Sequence, residues 1–228
     1  ALEGVEITLG GWRLTADLSV PQGARVAVMG PSGAGKSTLI GAVAGFVPLT
    51  GGAIRWQGAR IDGLAPAQRP LSILFQDNNL FPHLSVFDNV ALGLDPNLRL
   101  SAAQRAAVTR ALEETGLEGL AARRPAQLSG GQVSRAGLAR VLLRARPLIL
   151  LDEPFAALGP ALKRQMLDLV ARIADETGAT LLMITHDPGD ARRLCDLTLV
   201  VADGMATPPA PTGALLDNPP PALREYLG

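Results

Sequence analysis

The segment Gly30-Pro31-Ser32-Gly33-Ala34-Gly35-Lys36-Ser37 constrains this chain more than any other. It matches the pattern G-x-x-x-x-G-K-[ST]. An apolar run, Arg25-Val26-Ala27-Val28-Met29, precedes it, and a helical pattern follows from Lys36 to about Gly45. A strand that turns through glycines into a helix offers an anion a row of backbone N–H groups and the positive end of the helix dipole. The glycines permit the left-handed backbone such a turn needs. The pattern predicts a nucleoside triphosphate site. Lys36 would reach the β- and γ-phosphates, Ser37 would hold Mg²⁺, and Thr38 would bond the α-phosphate.

Apolar runs alternate with helical patterns along the chain, which predicts an α/β fold. Strands are expected at 5–9, 14–20, 53–56, 72–75, 148–151, 179–184 and 197–201. The first three read as an antiparallel group with glycine turns. Helices are expected from Ser101 to near Gly116, from about Ser129 to Arg144, and from Gly159-Pro160 to about Thr177. The expected organisation is one domain over 1–228. Residues 1–76 and 147–228 form a P-loop NTPase core with an antiparallel β subdomain, and residues 77–146 form an inserted α-helical subdomain. The tail from Thr207 is proline-rich and reads as loop with one short helix near Leu223.

The chain has 228 residues, long enough to bury a core without disulfides, and Cys195 is its only cysteine. Its 21 basic and 21 acidic residues balance. No charge excess points to nucleic acid as a partner. No apolar run reaches the ~20 residues that span a bilayer. The first residues lack the basic and apolar regions of a signal peptide, so neither a spanning segment nor export is expected.

A second group of residues supplies carboxylates. Leu148-Ile149-Leu150-Leu151 is an apolar strand that ends in Asp152 and Glu153. A buried parallel strand delivers such acids at its C-terminal end, beside the phosphate loop. Asp152 would orient Mg²⁺ and Glu153 would polarise an attacking water as general base. A third group, Leu128-Ser129-Gly130-Gly131-Gln132, precedes a helix and forms a second phosphate-binding nest at its N-terminus.

With the phosphate loop, this pentapeptide resembles the ATP-binding cassette superfamily. The resemblance implies two ATP molecules held between two head-to-tail copies, each γ-phosphate facing Ser129, Gly130, Gly131 and Gln132 of the other copy. It implies that Gln76, after Ile73-Leu74-Phe75, contacts Mg²⁺ or the attacking water. It implies that His186, in Ile184-Thr185-His186-Asp187, touches the γ-phosphate. Trp12 is the candidate for stacking on adenine, at a position usually held by tyrosine. His83 and Cys195 receive no catalytic role.

The stretch from Phe75-Gln76-Asp77-Asn78-Asn79-Leu80-Phe81-Pro82-His83 to Leu94, and Leu199 to Gly204, is similar to the ATPase subunits of bacterial thiamine importers. This implies a peripheral ATPase on the cytoplasmic face of the inner membrane. Its partners would be an integral-membrane permease and, indirectly, a periplasmic solute-binding protein. Polyamine and iron importer ATPases share the plan, most with a further C-terminal regulatory domain for which this chain ends too early. A soluble cassette acting on DNA or ribosomes is the other alternative. It is disfavoured by neutral charge, the absence of sustained heptads and the single occurrence of each motif. Phe81, Pro82, Leu84 and Phe87 are candidates for receiving the permease's coupling helix, or for subdomain core.

Two departures from the family pattern stand out. Gly159 replaces the usual aspartate after Leu158. Val133 and Ser134 replace an Arg-Gln pair, whereas Arg135 matches. The expectation is weaker dimerisation and slower hydrolysis than in a standard member.

Overall fold

The structure, a computed structural model, describes residues 1–77 and 80–227. Asn78 and Asn79, part of the stretch that resembles thiamine importer ATPases, lie outside the described residues. The chain opens with two antiparallel strands, β1 (Leu2–Leu9) and β2 (Trp12–Leu18), then β3 (Arg25–Met29), helix α1 (Lys36–Ala44), β4 (Gly51–Trp56), β5 (Ala59–Arg60) and β6 (Leu71–Leu74). Three helices follow, α2 (Val86–Ala91), α3 (Ala102–Glu114) and α4 (Gly130–Leu143). The chain then returns through β7 (Leu148–Asp152), α5 (Pro160–Thr177), β8 (Thr180–Ile184), α6 (Pro188–Leu194) and β9 (Leu197–Ala202). It ends in two short strands, β10 (Met205–Ala206) and β11 (Ala210–Pro211), and two short helices, α7 (Thr212–Asp217) and α8 (Pro221–Leu227).

Strands β9, β3, β8, β7 and β6 lie side by side and parallel. The residues of β7 and β8 are buried throughout, as continuous apolar runs covered on both faces should be. On one face, α1 packs over Val26, Val28, Leu150 and Ile184 through Leu39, Ile40 and Val43. On the other, Met166, Leu167 and Val170 of α5 join Leu138 and Leu142 of α4 over Ile149, Leu151 and Met183. Antiparallel strands β1, β2, β4 and β5 extend the sheet, and β10 joins them to β9. This is the expected α/β plan of a P-loop core with an antiparallel β extension.

Helices α2 to α4 carry a separate buried cluster of Val86, Val90, Val108, Leu112, Leu117 and Ala136. Ser101 starts α3 by accepting from the Gln104 N–H while the Gln104 side chain accepts from Ser101, a reciprocal cap. Arg135 on α4 donates to the carbonyls of Thr115 (2.7 Å) and Gly116 (2.6 Å), which end α3.

The proline-rich tail differs from the expected loop with one helix. It forms one short strand and two helices, with Leu216 and Leu223 buried in the core beneath β9. Proline excludes ladder donors and helix interiors, but it stands at the start of α8, where no donor is needed. Helix α6 had its own local signal. Asp187 accepts from the Gly189 N–H at 2.8 Å and Pro188 occupies the first helical position.

Candidate nucleotide site

Four parallel strands end at one place. Beyond β3 lies the glycine turn, beyond β6 Gln76, at the end of β7 Asp152 and Glu153, and beyond β8 His186. The C-terminal ends of an open α/β sheet form a crevice where neighbouring strands send their connections apart. A cavity of about 520 Å³ opens there, lined by Lys36, Ser37, Thr38, Gln76, Glu153 and His186 among others, while Asp152 lies buried behind Ser37. A smaller apolar cavity of about 230 Å³ lies against Leu18, Val43, Leu148 and Leu182 and gathers none of these groups.

The turn requires glycine for two separate reasons. At Gly30, φ is +143° and a Cβ would strike the Val201 carbonyl oxygen on β9. At Gly35, which caps α1, φ is +99° and a Cβ would strike Cη2 and Cζ2 of Trp12. The Trp12 indole therefore lies directly on the phosphate loop. Lys36 Nζ donates to the carbonyls of Gly30 and Pro31, both at 2.7 Å. Burial pushes the Lys36 pKa down, and the charges of Glu153 and Asp152 oppose that.

Asp152 is 5% exposed. Burial raises its pKa, the hydrogen bond with Ser37 counters this, and the Glu153 charge adds to the rise. A buried carboxylate beside a hydroxyl is a hard oxygen pair that suits Mg²⁺. Among the described residues no group of three or more His, Cys, Asp or Glu could hold a metal alone. The pair therefore fits an ion that arrives with phosphate oxygens rather than one resident in a protein cage.

Glu153 has φ +46° and its N–H donates to the Ile184 carbonyl at 3.2 Å. Left-handed backbone at a non-glycine residue costs of order 1 kcal/mol or more and marks functional turns. Its Oε2 stands 3.7 Å from His186 Nδ1. The His186 loop is braced from behind, where Lys163 on α5 reaches Asp187 at 2.6 Å and Asp190 at 3.0 Å.

Ser129, Gly130, Gly131 and Gln132 do not line this cavity. Ser129 caps α4 by accepting from the Gln132 N–H, and Gln132 Oε1 accepts from the Ser129 N–H at 2.8 Å. Gly131 packs closely on the loop after Glu153, because a Cβ there would lie 3.2 Å from the Ala157 carbonyl oxygen and from Leu158. The glycine nest and the loop that begins α5 thus touch within one chain.

Of the four apolar candidates around residue 85, Phe81 is 47% exposed and Pro82 is exposed, whereas Phe87 packs against the helical cluster. Leu84 is half-buried. Sequence reasoning missed Phe46, 55% exposed, whose ring meets Phe75 edge-on at 5.2 Å. It also missed Tyr226, which α8 carries to the wall of the phosphate cavity. No local signal marks either, since each depends on segments remote in the chain.

Residues 15–156 match the family model described as ABC transporter. The chain belongs to the ABC transporter family. Over 227 residues it is 57% identical to the thiamine import ATP-binding protein ThiQ of Ruegeria sp. (strain TM1040), covering 100% of this chain and 98% of that one. The ThiQ protein of Cereibacter sphaeroides is 58% identical with the same coverage. Among solved structures, a dimer of the ATP-binding cassette MJ0796 in a post-hydrolysis state with ADP and Pi superposes with a TM-score of 0.83 at 29% identity. It covers 92% of this chain and 97% of that one.

Proposed function

We propose that this chain is the ATP-hydrolysing subunit of a thiamine importer and that it works as a head-to-tail dimer with MgATP at the seam. The observation that carries the reading is the convergence of Lys36, Ser37, Glu153, Gln76 and His186 on one cavity that lacks Ser129 and its glycines, with Asp152 behind it on Ser37. A second copy is the natural source of that missing wall, and the solved MJ0796 cassette is dimeric.

In this reading the turn from Gly30 through Ser32, Gly33 and Ala34 to Gly35 wraps the phosphates with backbone N–H groups. Lys36 leaves its loop carbonyls for the β- and γ-oxygens, and Thr38 meets the α-phosphate. Ser37 and Asp152 would hold Mg²⁺, with Gln76 nearby, and the ion neutralises charge on the phosphates when bound. Glu153 accepts the proton of the attacking water, and His186 contacts the γ-phosphate from the same side. Trp12, lying on Gly35, stacks on adenine. Gly130 and Gly131 of the opposite copy present N–H groups to the γ-phosphate, framed by Ser129 and Gln132.

No described helix is long and apolar enough to cross a membrane. An integral-membrane permease would therefore bring the transport path. Exposed Phe46 and Phe81 offer it an apolar footing beside the Gln76 loop. A periplasmic binding protein acts through that permease, which places this subunit at the cytoplasmic face of the inner membrane. Residues 77–146, with their own buried cluster, would move as a unit on the core.

The assignment of cargo rests on relatives named for thiamine import at 57–58% identity over the whole chain. Reconstitution with the permease and binding protein tests it. Thiamine-loaded binding protein should raise ATP turnover, whereas stimulation by a polyamine- or iron-loaded protein alone would contradict the assignment.

A further inference from the structure

Two aromatic side chains flank the phosphate loop. Trp12 lies on Gly35. Tyr226 stands beside Lys36, with its ring centroid 5.9 Å from Nζ, and faces the cavity shared with Glu153 and His186. Those two residues mark the end of the site where the bond to the last phosphate breaks. Tyr226 is not a loose terminal residue. Leu223 lies three positions earlier on the same helix, is fully buried beneath β9, and so aims this face of α8 at the core. Arg224 braces the helix start through the Pro219 carbonyl at 3.2 Å.

We propose that Tyr226 is a further binding residue of the nucleotide site, its hydroxyl donating to the terminal phosphate of a nucleoside triphosphate. The proposal rests on reading this cavity as the ATP site. An ammonium carries three donors, and two of those on Lys36 point at Gly30 and Pro31. Lys36 Nζ already lies over the Tyr226 ring while bonded to these carbonyls, so a phosphate that draws Lys36 into the cavity would meet Tyr226 on the cavity wall. Burial raises the Tyr226 pKa and the Glu153 charge adds to it, so the phenol keeps its proton at neutral pH and remains a donor. On that reading a diphosphate would end short of this wall, which also carries Glu153 and His186. Tyr226 therefore gives the site a means of distinguishing ATP from ADP within one chain, before the opposite copy closes.

The test measures equilibrium binding of fluorescent MgATP and MgADP to the full chain carrying Glu153→Gln, which suppresses turnover. Tyr226→Phe keeps the ring and removes the donor. It should weaken MgATP about tenfold, the scale of a hydrogen bond to a charged group, and leave MgADP unchanged. Tyr226→Ala should weaken MgATP further. Equal losses for both nucleotides, no loss for either, or tighter MgATP binding by Tyr226→Ala would each overturn the proposal, the last by making the ring an obstruction. Lys36→Ala separates this from the wider reading. If it retains full MgATP affinity, the ATP site itself is misplaced. If it loses MgATP while Tyr226→Phe does not, only the role of Tyr226 falls.

Discussion

Glu153 combines a left-handed backbone with a carboxylate aimed at His186 and the phosphate cavity. A side chain held in that conformation is fixed in direction as well as in position. Glu153→Gln preserves the shape and removes the proton acceptor. It should cut ATP turnover about a hundredfold or more while ATP remains bound, as read by phosphate release and by nucleotide retention on the purified chain. Wild-type turnover would remove Glu153 from the role of base. Ser72 makes the opposite case. The residue is 1% exposed, and its buried hydroxyl lacks a hydrogen-bond partner among the described residues. Ser72→Ala deletes an unsatisfied buried group, which costs about 1–3 kcal/mol where it stands. The expected outcome is a Tm equal to or above that of the parent; a clear fall in Tm would show that the hydroxyl has a partner.

Helices α5 and α6 are the elements through which the loop after Glu153 and the loop of His186 feel each other. Lys163, one turn into α5, holds Asp187 and Asp190 at the start of α6. The two carboxyls respond differently. The Lys163 hydrogen bond holds Asp187 below its usual range, and burial pushes Asp190 above it. Removing the cation in Lys163→Met leaves Asp190 buried without its ion pair, and its pKa rises further. A carboxyl whose folded pKa exceeds its unfolded value loses stability as pH rises between the two. The variant should therefore be destabilised at pH 8 by about 1–3 kcal/mol and by less at pH 5, as read by denaturant titration. An equal loss at both pH values would contradict the account. At the other end of the same helix start, Gly159 has φ −69°, and a Cβ there meets nothing within 4 Å. Gly159→Asp fits without strain, improves the cap of α5 by a few tenths of a kcal/mol, and adds a carboxylate where the proposed dimer would meet. It should raise ATP turnover in the presence of permease; an unchanged rate would mean that Gly159 does not slow this enzyme.

At the scale of the molecule, much was legible because the chemistry is carried by short contiguous runs. The glycine turn between β3 and α1 and the apolar strand ending in Asp152 declare themselves locally. The expected strands appear in the expected order with ends shifted by at most three residues, because fraying and turn geometry set the ends, whereas the two-residue strands β5, β10 and β11 have no expected counterpart. Less legible was whatever depends on the chain returning to itself. Tyr226 reaches Lys36 only because α8 docks beneath β9, and a run of prolines conceals that docking. Phe46 gains meaning only beside Phe75. The packing of Gly131 on Ala157 joins the first turn of α4 to a loop 26 residues further along the chain.

In the proposed dimer a working site takes its phosphate loop from one copy and its Ser129 nest from the other. Mixing two inactive variants, Lys36→Ala and Ser129→Arg, tests this most directly. A mixed dimer then contains one site with an intact Lys36 facing an intact Ser129, and one site with both defects. ATP turnover should reappear on mixing and fall again when Glu153→Gln is added to the Ser129→Arg copy, which supplies the intact phosphate loop. If mixed dimers form and the mixture stays as inactive as its components, each chain completes its own site and the account is wrong.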